Sequence, residues 1–159
     1  MMTESKNLSV RVIPKEKAVF WMDAQGRWCN ASGPFEHKKI IQYFNASIDK
    51  DEEGYFVSQD YNGMCEKVYF RYQVTPLFAL DVIEAEPMRL VLNTGKAIPL
   101  VAENLYLQDD HLYLSLGDDE CAKITERVLF RLAGHFKDEN GVYSFRAGGA
   151  WYPIREVRQ

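Results

Sequence analysis

The feature that most constrains this chain is a pattern that occurs twice. Val19 to Val57 reads as a short hairpin, a helix with one apolar stripe, an acidic turn ending in glycine, and a further strand. Residues 104–145 repeat that order. Ile40, Ile41, Phe44 and Ile48 fall 88 positions before Val128, Leu129, Leu132 and Phe136; after a one-residue gap, Gly54, Tyr55 and Phe56 match Gly141, Val142 and Tyr143. An apolar helix stripe must be buried, and the neighbouring strands are the surface on offer. The expected architecture is therefore α+β. It consists of a duplicated unit of antiparallel strands with one covering helix per copy, in two packed lobes. The first spans residues 1–84 with an N-terminal strand, and the second spans residues 85–159.

Local patterns fill in that frame. Residues 8–13 alternate apolar and polar and predict a strand. Residues 18–22 and the RWCN stretch make the first hairpin. Ser32-Gly33-Pro34 predicts the first helix start, with Ser32 or Gly33 as cap and Pro34 in the first turn. Gly117-Asp118-Asp119-Glu120 predicts the second, with Cys121, Ile124, Val128, Leu132 and Phe136 as its stripe. Further strands are expected over 54–59, 64–74, 77–83, 88–93, 141–146 and 151–157, with turns at Asn62-Gly63, Asp109-Asp110 and Gly148-Gly149. Thr75-Pro76 breaks a strand because proline cannot donate to a ladder.

Composition removes several functions. Hydrophobic residues are 47% and aromatics 13%, which is incompatible with a disordered chain. Net charge is -4 and no basic run exceeds two residues, so nucleic acid is not an expected partner. Three scattered cysteines, Cys29, Cys65 and Cys121, do not make a disulfide framework and suit a reducing compartment. The opening MMTESKNLSVRVIP has no signal-peptide pattern, and no apolar run approaches the roughly 20 residues that span a bilayer. A cytoplasmic location without membrane contact is expected.

The chain also resembles the bacterial family catalogued as domain of unknown function 1285. The residues that carry the likeness are Asp23, Gly26 and Trp28; Gly33 and Pro34; the acidic run from Asp51 to Tyr55; Glu66 and Lys67; and Pro76 with Phe78. The resemblance covers nearly the whole chain. It implies two repeated α+β motifs, no established activity, and a loose connection to signalling or regulation.

Motifs that carry chemistry are mostly absent from the sequence. His37, His111 and His135 are far apart, no Cys or His pair has ligand spacing, and no metal or cofactor is expected. Asp49 to Asp60 approaches a calcium loop, with Gly54 at the sixth position, but a strand pattern follows where a second helix is needed. An acidic helix-to-strand turn is the simpler reading. No nucleophile motif is present, Gly148-Gly149 is no phosphate loop, and no residue is assigned a catalytic role. The richest feature is a set of aromatics beside charges. Trp28, Lys67 and Arg71 are the candidate ligand-lining residues, by ring stacking and positive charge. Packing into the core is the competing role for the aromatics.

The functional expectation is a regulatory or sensory module, homodimeric, binding a small ligand or protein partner between the two repeats without catalysis. Two alternatives stand beside it: an enzyme whose cysteine or carboxylate site assembles only in three dimensions, and a structural interaction domain.

Overall fold

Paired residues in the left-handed region set the course of the backbone in this computed structural model, which describes residues 9–158. Asn62 (φ 48°) with Gly63 (74°), Asp109 (49°) with Asp110 (64°), Asp118 (50°) with Asp119 (61°), and Asn140 (55°) with Gly141 (81°) each supply two consecutive positive φ values. That geometry matches the twist of antiparallel strands, and Asn, Asp and Gly tolerate it best. Each pair closes a hairpin. Residue 8, the first of the expected N-terminal strand, lies outside the described residues, as does most of the stretch read for a signal peptide.

Strands dominate, with two α-helices among the described residues. The chain divides into two compact units between Pro76 and Leu77. The sequence reading put the boundary after residue 84; strand Phe78–Ile83 lies in the second unit because its hydrogen-bonded neighbours are there.

The first unit contains β1 (Ser9–Ile13), β2 (Phe20–Met22), β3 (Trp28–Asn30), β4 (Gly33–Pro34), α1 (Lys38–Ala46), β5 (Ile48–Asp51), β6 (Gly54–Tyr61) and β7 (Met64–Tyr69). β2, β3 and β4 pair antiparallel in that order. After α1, β5, β6 and β7 do the same, and β1 joins the far edge parallel to β7. The core of this unit is aromatic. The Trp28 ring centre is 4.8 Å from Phe70, 5.3 Å from Phe44 and 5.8 Å from Phe20, and Phe35 adds to the cluster 5.3 Å from Phe44.

The second unit contains β8 (Phe78–Ile83), β9 (Arg89–Leu92), β10 (Ala97–Pro99), β11 (Leu105–Gln108), β12 (His111–Gly117), β13 (Glu120–Ile124), α2 (Glu126–Arg131), β14 (Phe136–Glu139), β15 (Val142–Ala147), β16 (Ala150–Pro153) and β17 (Arg155–Val157). One sheet runs β10-β9-β8-β13-β12-β11-β17 and another runs β14-β15-β16. Two pairings in the large sheet are parallel, β8 with β13 and β11 with β17. Ala79, Leu90, Leu114, Ala122, Val128, Leu132 and Phe145 are enclosed in the core of this unit.

Both helices start later than the sequence predicts. Gly33–Pro34 is strand β4, and α1 begins at Lys38 with His37 in the cap position. Asp118-Asp119 is a two-residue hairpin turn rather than a helix opening, so Glu120–Ile124 is a strand and α2 starts after Thr125. Cys121 and Ile124 are therefore strand residues, not members of the helix stripe. Local hydrogen bonding explains the first shift: Asn30 Oδ1 accepts from the Ser32 N–H, and the Phe35 N–H donates to the Trp28 carbonyl, which holds residues 30–35 in a hairpin. The stripe itself is unequally buried. Val128 on α2 and Leu132 just after it are enclosed, whereas α1 buries none of its residues fully and leaves Ile40 47% exposed.

Candidate functional site

Strand alternation separates the three residues singled out in the sequence. Val68 and Phe70 face one side of β7 and its continuation, and Trp28 packs on Phe70. Lys67 and Tyr69 face the other side, so Trp28 and Lys67 do not share a surface. Trp28 is 1% exposed, and its Nε1–H donates to Asn45 Oδ1 at 2.7 Å. It is a core residue, with no face free for a ligand to stack on. Arg71 is exposed, and its backbone carbonyl accepts from the Met22 N–H at 2.9 Å.

Lys67 belongs to a small polar cluster. Its Nζ donates to Asp51 Oδ2 at 2.7 Å, and the Tyr69 hydroxyl donates to the same oxygen at 2.6 Å. The ammonium also lies 4.4 Å from the Phe56 ring centre. These two bonds, Lys67 first, hold the Asp51 carboxyl down from 3.8 to about 2. The same pairing raises Lys67 and Tyr69, so both stay protonated and neither can act as a base near neutrality. A depressed carboxylate stabilises the fold above its unfolded pKa of about 3.9, and the benefit fades as pH falls toward the folded value. Asp51→Asn should therefore lower the urea midpoint at pH 7, and the gap from wild type should close as the pH is taken from about 4 to about 2. A gap that is constant with pH would show that the pair contributes nothing.

Asp51 also lies in the calcium-like stretch. β5 and β6 form a hairpin through residues 49–60, and the Asp51 oxygen is already taken by Lys67 and Tyr69. Among the described residues no group of three or more His, Cys, Asp or Glu is placed to hold a metal ion. Burial, and then the Asp23 carboxylate, push the Cys29 thiol up; burial, and then Asp60, do the same to Cys65. A thiol raised in this way is not the thiolate that nucleophilic chemistry requires.

Concave space points elsewhere. The first unit has a cavity of about 130 Å³ beside Phe44 and Val57, below the roughly 300–1,000 Å³ of ligand pockets. In the second unit a cavity of about 380 Å³ mixes Glu84, His135 and Arg146. Three of its polar residues are engaged: Glu84 binds Arg131 at 2.9 Å, His135 Nδ1 lies 3.1 Å from the Arg146 carbonyl, and the Arg146 guanidinium lies 5.7 Å from the Trp151 ring centre.

A larger cavity of about 440 Å³ in the same unit is mostly apolar. Leu107 on β11 sits opposite Leu112 on β12 and opposite Glu156 on β17, which puts all three on one sheet face. Phe136 on β14 and Tyr143 on β15 come from one face of the small sheet. Leu129 on α2 and Ala133 just after it supply a further wall, and Ile154 lies at the crossing from β16 to β17. Asp110, in the β11–β12 turn, is the second carboxylate. Little in the local sequence announces this site. Glu156 reaches Leu107 only through a parallel pairing between strands about fifty residues apart, which no local pattern encodes.

The fold defines the class first: a mixed α+β chain in which antiparallel runs flank one helix in each unit. No protein-family model matches the chain, and no curated protein does. Two solved structures do. A DUF1285 family protein from Silicibacter pomeroyi superimposes with a TM-score of 0.61 at 15% identity, over 95% of this chain and 89% of that one. A DUF1285 family protein from Shewanella baltica gives 0.51 at 19% identity, over 75% of this chain and 93% of that one. The chain has the fold of solved proteins of the domain of unknown function 1285 family. At these identities the likeness speaks for the fold alone. No helix of the described residues is long and apolar enough to cross a membrane.

Proposed function

We propose that the protein is a cytoplasmic regulatory or sensory module that binds a small ligand in the larger cavity of the second unit, without catalysis. The observation that carries this reading is the cavity itself. About 440 Å³ lined by aliphatic and aromatic side chains with two carboxylates has the size and the balance of a small-molecule pocket. The raised thiols of Cys29 and Cys65, and the Lys67 and Tyr69 protons held by Asp51, argue against the enzymatic alternative. Three cysteines outside any disulfide, two of them buried, fit a reducing compartment.

Ala133 lines the cavity with almost no side chain, so a large substitution there fills it. The neutral fluorophore N-phenyl-1-naphthylamine should bind the wild-type chain with enhanced, blue-shifted emission. Ala133→Trp should weaken that binding about tenfold or more, while circular dichroism stays unchanged. At 100 times its dissociation constant the probe should also stabilise the fold by about 2.7 kcal/mol. A wild-type chain that leaves the probe dark, or a folded Ala133→Trp that binds equally well, would sink the proposal.

We also read the two units as copies of one ancestral unit. Support comes from the order of elements: three antiparallel strands, a helix and three antiparallel strands occur in each, over β2 to β7 and over β11 to β16. The offset of 88 that relates the helices also relates Ile48 to Phe136 and Gly54 to Val142 as hairpin positions, so the one-residue gap expected from the sequence is not needed. Relatives that lack the helix in only one half would count against this history.

A further inference from the structure

We infer that the larger cavity of the second unit takes an amphipathic cation, an alkyl- or arylammonium compound whose chain lies on the leucines and whose charge meets Glu156 and Asp110. This rests on the ligand-binding reading above and adds the chemistry of the ligand. The cavity lining contains two carboxylates and no Lys, Arg or His. Among the described residues, neither Asp110 nor Glu156 has a basic partner.

Both sheets that wall the cavity keep their basic residues on the opposite face. On β17, Arg155 and Glu156 are neighbours and must point to opposite sides. Arg155 lies over the Tyr106 ring, 5.4 Å from its centre, and Tyr106 stacks on Tyr113 at 5.5 Å. Glu156, one residue on, is left opposite Leu107 on the cavity side. The small sheet repeats the arrangement. Phe136 and Tyr143 face the cavity, while Lys137 and Arg146 lie on the other side against Trp151, with Lys137 Nζ 4.3 Å from its ring centre. The chain thus supplies cations to the outer faces and none to the inner ones. Asp110 and Glu156 are both solvent-exposed, so a neutral guest would leave them unpaired and an anion would be repelled. A cation would be paired by both acids, with the Phe136 and Tyr143 rings within the same cavity to receive it.

The test compares three eight-carbon probes on the full chain at pH 7 by calorimetry: octylammonium, octanol and octanoate, each below its micelle concentration. Octylammonium should bind about tenfold tighter than octanol, and octanoate weakest, as expected for two partly solvated ion pairs. The double variant Asp110→Asn, Glu156→Gln should abolish the preference by weakening octylammonium binding about tenfold, with circular dichroism unchanged. Equal affinity for octylammonium and octanol, or a preference that survives the double variant, overturns the inference while octanol binding keeps the cavity reading intact. Failure of all three together with the naphthylamine fluorophore overturns both.

Discussion

Trp28→Ala should destabilise the protein by about 3–5 kcal/mol, read as a fall in the urea midpoint at an unchanged slope. The indole is enclosed in an aromatic cluster with Phe20, Phe44 and Phe70 at ring separations of 4.8–5.8 Å. Truncation leaves a void bounded by rigid rings, which cannot close around it as flexible aliphatic chains can. The polar end of the indole matters separately. Trp28→Phe keeps a ring in place but removes the donor to Asn45 Oδ1, and should cost about 1–3 kcal/mol. The difference between the two variants measures ring packing against the hydrogen bond. A loss below about 1 kcal/mol in Trp28→Ala would mean that the indole is not enclosed, and would reopen its role as a ligand contact.

The sequence carried the features that depend on near neighbours. Asn62-Gly63 and Asp109-Asp110 announce hairpins because those residues tolerate positive φ, and they close hairpins in the structure. Asp118-Asp119 misled for an instructive reason. Acidic residues suit a helix N-terminus and suit a left-handed turn equally, and only the partners of the following strand decide between them. Here Cys121, Ala122 and Lys123 pair across to β12, and Lys123 and Ile124 also lie beside β8. Helix α1 started late because Gly33 and Pro34 were needed opposite Asn30 and Cys29.

What lay beyond the sequence was the joining of distant pieces. Trp28, Lys67 and Arg71 looked like a site because aromatics near charges suit ligands, yet the pleat of β7 turns Phe70, on which Trp28 packs, away from Lys67. The cavity needs Leu107, Phe136 and Glu156 from three separated stretches, brought together by one parallel pairing and by the return of the chain through Ile154. One signal was present: Glu156 follows the apolar Ile154 at the two-residue spacing that puts both on one face of an extended chain.

Phe145→Ala should cost about 3–5 kcal/mol and also weaken binding to the cavity. Phe145 has no exposed surface, and its ring centre lies 5.1 Å from Phe136 and 5.5 Å from His135, on which it stacks. Phe136 is a cavity wall, so its position depends on the ring behind it. Phe145→Leu keeps most of the volume and should cost only about 1.5 kcal/mol, which leaves a folded chain in which binding can be measured. In that variant the naphthylamine fluorophore should bind about threefold to tenfold more weakly, since Phe136 can then tilt away from the guest. If Phe145→Leu loses stability but binds the fluorophore as wild type does, the Phe136 wall is held by its own strand, and the cavity is more rigid than its packing implies.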